Sequence, residues 1–343
     1  MFSALVSSLK NEIEIVRQAL RINELLRSTF SNPSLNAANI DPLLVSIQKT
    51  LPDTTDWRIY DHCASITRLY SIYEGFVDGL LTNWLTLIPD LFQDYAQLDN
   101  SIKKRHLQGV GQLLQDLDQR RYVHIQPQEI LQGLYYGVSG QRPYELFPKA
   151  FLKRSQNLRK EILEDMFSRS GIPNCWHWVE TYQSIRDFIT FVHGNSNTAE
   201  AELQELLDYR NEASHNYLIT SVLNTKAILE KADFLEAVCL ALAELVTSRI
   251  LEQQVQLAQA SQVGTITEVF KRSGAVVARM NNVKLFVGQK LYISSPTTCH
   301  AVLVESIQIN DVSVDNVAID VNLEIGLKLG ELPKINSQLF QMK

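Results

Sequence analysis

The sequence has no long hydrophobic run and little cysteine. None of its 343 residues belongs to an apolar stretch of 18 or more, so we expect no membrane-spanning segment. At the amino terminus a short apolar stretch is soon followed by Glu12 and Glu14, which argues against a secretory signal. The four cysteines are scattered without metal-ligand spacing, which favours reduced thiols and a cytoplasmic location and indicates no metal site.

Several common catalytic signatures are also missing. The sequence contains no glycine-rich phosphate loop, no G-x-S-x-G and no H-E-x-x-H, so we expect no cofactor of the kinds that these motifs serve. The formal charge is −6 at pH 7, which argues against binding of nucleic acid by the whole surface. Any contact with RNA would therefore need a local patch.

The chain changes character near residue 263. Before it, apolar residues recur at three- and four-residue steps, which is typical of amphipathic helices. After it, short alternating segments rich in Val and Ile are separated by Gly and Asn, which predicts five or six strands of a small barrel. We therefore predict an α+β multidomain protein: a helical domain over residues 1–262, with a helical insertion at about 89–197, and a small β-barrel over 263–343.

One predicted helix, within residues 197–218, carries a charge in its apolar stripe. Leu203, Leu206 and Leu207 belong to that stripe, and Arg210 falls about 20° from its middle at 100° per residue. Asn211 lies on its flank, as does the histidine four residues later. A buried arginine needs a partner, so either Arg210 extends to solvent or the stripe faces a polar cleft or another chain.

A second predicted helix, over residues 57–87, also carries a charged residue, here an acid, in its apolar stripe. Tyr60, Cys63, Thr67 and Tyr70 lead along this stripe to Glu74. The simplest joint solution is that Glu74 and the arginine of the other helix pair or share a cleft. The alternative is an acid at the rim of the core.

These two segments resemble the HEPN superfamily, whose members include metal-independent endoribonucleases of prokaryotic toxin and defence systems. Arg210-Asn211-Glu212-Ala213-Ser214-His215 is similar to the superfamily's R-x4–6-H signature, and Tyr217 extends it to R-x4-H-x-Y. Y-x-x-Y-E-G-F, around Glu74, is similar to the first long helix of several subfamilies. The last 80 residues resemble the β-barrel that forms the second domain of translation factors, which implies a docking or RNA-adjacent module without chemistry.

The resemblance implies RNA as substrate and a homodimer that builds its cleft from both copies of the motif. His215 would assist attack by the ribose 2′-OH, Arg210 would hold the phosphate, Asn211 would position it and Glu74 would lie nearby. Tyr217 would be a regulatory residue, modified by an antitoxin, or would simply pack. Other partners would be a sensor or another defence-system protein. The alternative function is a non-catalytic interaction protein that docks a partner through its helices and barrel.

A basic cluster within the insertion offers a local patch for RNA. It consists of Lys153, Arg154, Arg159 and Lys160. These cations could follow a phosphate backbone. The alternative is an ordinary solvated helix face, because three acids follow within residues 161–165.

Overall fold

The computed structural model describes residues 1–31, 42–122, 124–140, 144–194 and 196–343. The helices in these ranges come first in the chain and the strands follow, which confirms the α+β class. The helices are α1 Ser3–Phe30, α2 Pro42–Thr50, α3 Thr54–Leu91, α4 Asn100–Gln115, α5 Pro127–Val138, α6 Pro148–Leu152, α7 Lys160–Arg169, α8 Cys175–Thr181, α9 Gln183–His193, α10 Ala199–His215 and α11 Thr225–Gln256. Short 3-10 helices cover Tyr95–Gln97 and Arg120–Tyr122.

Helix α3 is the centre of the helical region. It packs against α1, α10 and α11, and its buried face runs from Asp61 to Leu91. The helix begins earlier than expected because the Asp53 side chain caps it, accepting a hydrogen bond from the Thr55 amide. It also continues past Pro89, so the first residues of the expected insertion belong to its last turn.

Helix α11 is the second long element. Asn224 caps its start by accepting from the Ala227 amide, and 32 residues follow without a break. Buried residues occur on nearly every side of it, since α1, α3, α8 and α9 all pack against it. The segment is therefore one helix and not a pair.

Residues 89–197, which we predicted to be an insertion, contain α4 to α9, and part of this segment packs tightly through glycine. At Gly109 of α4 an added Cβ would lie 2.1 Å from the carbonyl oxygen of Ala150 in α6. Only glycine allows the two helix backbones to approach this closely. The short helix α6 therefore lies directly on α4, and the segment after it is carried towards α3.

The strands form a closed antiparallel barrel. Six of them close the ring in the order β4-β9-β1-β2-β8-β5, with β4 pairing β5. They correspond to the five or six strands predicted; β6 extends the sheet from β5, and β3 and β7 form a separate ribbon. The bounds are β1 Ala260–Phe270, β2 Ala275–Met280, β3 Val283–Phe286, β4 Lys290–Ser295, β5 Thr298–Ile309, β6 Val312–Val314, β7 Asn316–Ile319, β8 Leu323–Leu329 and β9 Gln338–Met342.

The barrel packs on the helical region through β1 and β5 against α11. Glu244 of α11 is the main polar contact. It accepts hydrogen bonds from the Tyr182 hydroxyl and the Cys299 amide, both at 2.8 Å, and lies 3.3 Å from His300. Within the described residues, no helix is long and apolar enough to cross a bilayer.

Candidate active site

Helix α10 presents the candidate motif at its exposed end. Thr198 caps the helix by accepting a hydrogen bond from the Ala201 amide. Leu203, Leu206 and Leu207 are buried against the rest of the helical region. The helix ends at His215, so the motif forms its last two turns and the apolar stripe stops before it.

Arg210 is partly buried and stacks on an aromatic ring. Its guanidinium carbon lies 4.9 Å from the centre of the Tyr70 ring, and its Nη1 donates to Asn211 Oδ1 at 3.2 Å. The Arg210 Nε is buried and has no hydrogen-bond partner among the residues that the structure describes. A cation over an aromatic face gains about 0.5 to 2 kcal/mol, which offsets part of the cost of burying the charge.

Glu74 shares this cluster with Arg210 but is held by a different arginine. The Tyr70 hydroxyl donates to Glu74 Oε1 at 2.8 Å and accepts from the Leu158 amide at 3.0 Å. Arg154 donates to the same Glu74 oxygen at 3.1 Å. Tyr70 therefore links the two predicted residues, with Arg210 on its ring and Glu74 on its hydroxyl. Burial, and then the neighbouring carboxylate, raise the pKa of Tyr70 well above its ordinary value, so it stays protonated.

Asn157 completes the cluster and was missed from the sequence. Its Nδ2 donates to Asn211 Oδ1 at 2.8 Å, the oxygen that also accepts from Arg210. These two donors fix the amide orientation of Asn211. Asn157 lies outside any helix, in the segment between α6 and α7, so no periodic pattern indicates its position.

His215 and Tyr217 are both exposed at the end of α10. The helix was predicted within residues 197–218, but it ends at His215, two residues before Tyr217. Tyr217 is 97% exposed, so it does not pack. The Glu212 side chain accepts a hydrogen bond from the Thr220 amide, just beyond the end of α10, at 2.9 Å. This bond is the largest of the effects that lower the pKa of Glu212.

The basic residues predicted to bind RNA all have acidic neighbours. Arg154 donates to Asp78 at 2.6 Å as well as to Glu74. Lys160 contacts Glu200 at 2.6 Å, and Arg159 lies 3.3 Å from Glu161. Lys153 pairs with Asp116. The pairs of the more exposed side chains are worth little and can exchange, so they do not prevent contact with a phosphate.

A polar cleft borders the cluster. We call it the α3–α6 cleft. Its volume is about 620 Å³, and it is lined by Glu74, Asp78, Thr82, Tyr122, Lys149, Leu152 and residues 153–157. Glu74 and Asn157 therefore belong both to the cleft and to the cluster around Arg210.

The first turns of α3 form an open groove on another face. The stripe expected to be buried from Tyr60 is exposed there, with Tyr60 itself 74% exposed. Tyr60, Cys63, Thr67 and their neighbours line a groove of about 430 Å³. Burial, and then the charge of Glu212 in α10, raise the pKa of the Cys63 thiol.

No group of His, Cys, Asp and Glu side chains in the described part of the chain could hold a metal ion.

A family model described as HEPN_MAE_28990-like HEPN matches residues 7–255. No curated protein matches the chain. Among solved structures, two forms of the C-terminal domain of a putative U32 peptidase from Geobacillus thermoleovorans are similar to about a quarter of it. One, the selenomethionine variant, has 12% identity and a TM-score of 0.22, covering 24% of this chain and 99% of that one. The other has 13% identity and a TM-score of 0.21, covering 24% and 91%.

Proposed function

Because the chain belongs to the HEPN_MAE_28990-like HEPN family, we propose that it is a metal-independent endoribonuclease of a prokaryotic toxin or antiviral defence system. The observation that carries the proposal is the position of Arg210-Asn211 and His215. The first pair is held in a polar cluster by Tyr70 and Asn157, and the histidine stands exposed within the same two turns of α10.

In the proposed reaction the nucleophile is a ribose 2′-OH of the RNA that is cut. The His215 imidazole takes the proton of the 2′-OH, and the 2′ oxygen forms a bond to the adjacent phosphorus. The bond from phosphorus to the 5′ oxygen breaks, and that oxygen takes up a proton. Arg210 holds the phosphate and stabilises its developing charge, while Asn211 orients it. The products are a 2′,3′-cyclic phosphate and a 5′-OH.

Part of the proposal is that two chains build the site. The groove beginning at Tyr60 leaves the outer face of α3 open beside the motif helix. A second copy on this face would place two His215 side chains near one phosphate. We therefore expect a homodimer through residues 57–87 and 199–218, which light scattering at micromolar concentration can test. A strict monomer would count against a composite site.

Regulation through Tyr217 belongs to the same proposal. Its exposure leaves the hydroxyl accessible to a partner that transfers a nucleotidyl group, such as an antitoxin. A bulky anion at this end of α10 would repel RNA. Intact mass of the protein co-expressed with its genomic neighbours would detect the adduct, which should vanish in Tyr217→Phe. An unmodified mass with a fully inhibited nuclease would contradict this role.

Cleavage assays test the central proposal. Purified full-length protein is incubated with total RNA and defined tRNAs in EDTA, and the ends of the products are mapped. We expect cyclic phosphates, with at least about a hundredfold loss of rate in Arg210→Ala and in His215→Ala.

Matched controls are Arg279→Ala, an exposed barrel arginine, and His177→Ala, an exposed histidine of α8; both should cleave normally. Activity restored only by Mg²⁺ would overturn the mechanism, and full activity of His215→Ala would overturn the assignment. RNA binding without cleavage by the wild type would favour the non-catalytic interaction protein.

A further inference from the structure

The α3–α6 cleft lies next to the candidate active site. Asn157 lines the cleft and donates to Asn211, while Glu74 lines it and accepts from Tyr70, on which Arg210 stacks. A strand whose phosphate rests on Arg210 and Asn211 would therefore have its neighbouring nucleotide at the mouth of the cleft.

The cations of the cleft are partly engaged by acids. Arg154 is bonded to Glu74 and Asp78, and Lys153 to Asp116, while Lys149 lies 2.6 Å from His124. An entering phosphate would meet these cations but would also face the carboxylates of Glu74 and Asp78 at close range. An uncharged ligand would meet the same groups as hydrogen-bond partners, without repulsion.

The walls supply what an uncharged base requires. The volume of about 620 Å³ lies within the usual range for small-ligand sites, about 300 to 1,000 Å³. Leu152 offers an apolar surface, and Gln156 offers an amide, a side chain well suited to paired hydrogen bonds with a base edge. Arg159 donates to Gln156 Oε1 at 2.9 Å, which orients that amide.

We propose that the α3–α6 cleft binds the base of the nucleotide next to the scissile phosphate of a single-stranded RNA. Arg210 and Asn211 then read the backbone, and the cleft reads sequence. The RNA is single-stranded because a base can enter a side pocket only when it is neither paired nor stacked. This inference rests on the proposed function, since it takes the phosphate position from it.

Binding of RNA that cannot be cut tests the cleft directly. Fluorescence anisotropy of the full-length protein would be measured with four 2′-O-methyl octamers, of A, C, G and U. These probes lack the nucleophilic hydroxyl, so binding is read apart from catalysis. We expect the wild type to prefer one base over the others by about fivefold or more.

Two variants change the cleft in different ways. Gln156→Ala removes an exposed amide and should reduce the preference towards equal binding. Thr82→Trp, from α3, should fill the cleft and weaken the favoured octamer to the level of the others. Gln204→Ala removes an exposed amide of α10 that pairs only locally with Asp208, and should leave the preference unchanged. Melting temperatures check that each variant is folded.

The outcomes separate this inference from the proposed function. Equal binding of all four octamers by the wild type, no binding of any, or a preference that survives in Gln156→Ala would overturn the role of the cleft. Loss of preference in Gln156→Ala with no RNA cleavage by the wild type would support the cleft and reject the nuclease. Cleavage with unchanged cut-site preference in folded Thr82→Trp would reject the cleft alone.

Discussion

Lys231→Met tests whether a buried ion pair holds the motif helix in place. Lys231 of α11 is 5% exposed and lies 2.7 Å from Glu202 of α10, whose side chain is 2% exposed; it also contacts Glu205. Without the lysine, the Glu202 carboxylate stays buried next to His193 at 2.9 Å and Asn197 at 3.0 Å. Loss of one partner of a buried pair costs about 3 to 5 kcal/mol, and since Asn197 still donates to Glu202 we expect about 3.

The measurement is urea unfolding followed by far-UV circular dichroism. Lys226→Met is the matched control, because Lys226 lies in the same helix, is 87% exposed and pairs with Glu230 at 3.5 Å; it should cost less than about 0.5 kcal/mol. Adding Glu202→Gln to Lys231→Met removes the uncompensated charge and should recover part of the loss. A cost below about 1 kcal/mol, or no recovery in the double variant, would refute the reasoning.

Three further predictions concern stability. Burial lowers the pKa of His106 to about 4, below its ordinary value, so this group contributes stability above pH 6.5 that is lost as the pH falls towards 4; His106→Phe should flatten that part of the unfolding profile by up to about 3 kcal/mol. Gly109→Ala should destabilise by about 3 kcal/mol or more in thermal unfolding, because the new Cβ would overlap the Ala150 carbonyl; a neutral effect would contradict the close packing. Glu244→Ala leaves the Cys299 amide without its acceptor, so we expect a loss of about 1 to 3 kcal/mol and earlier proteolysis between helices and barrel.

The pattern of residues along the chain was enough to predict a helical region followed by a β-barrel. Helical periodicity gives way to alternation near residue 263, and the structure has a helix ending at Gln256 and a strand beginning at Ala260. The helix predicted within residues 197–218 begins at Ala199, capped by Thr198 through a contact between residues three apart. Such local features can be predicted from the sequence because the residues involved are neighbours in the chain.

For the candidate site, the sequence predicted some features and the fold decided the others. Arg210 in an apolar stripe indicated a need for partners, but the sequence could not identify them. Its partners are the Tyr70 ring, on which it stacks, and the Asn211 amide, which is held by Asn157. Asn157 lies 54 positions from Asn211 in the chain, and only packing brings these segments together. Glu74 shares Tyr70 with Arg210, and it is bonded by Arg154 from 80 positions away, a partner that the sequence did not indicate.

The end of α10 was also decided by tertiary structure. Helical spacing continued through Tyr217, but Glu212 accepts from the amide of Thr220 and holds the following chain against the helix. That contact stops the helix at His215 and leaves Tyr217 exposed. The sequence by itself determined which residue types stand in the motif and that the arginine needs a partner. The fold decided what each one touches, because hydrogen bonds and stacking act over a few ångströms in space, whatever the separation along the chain.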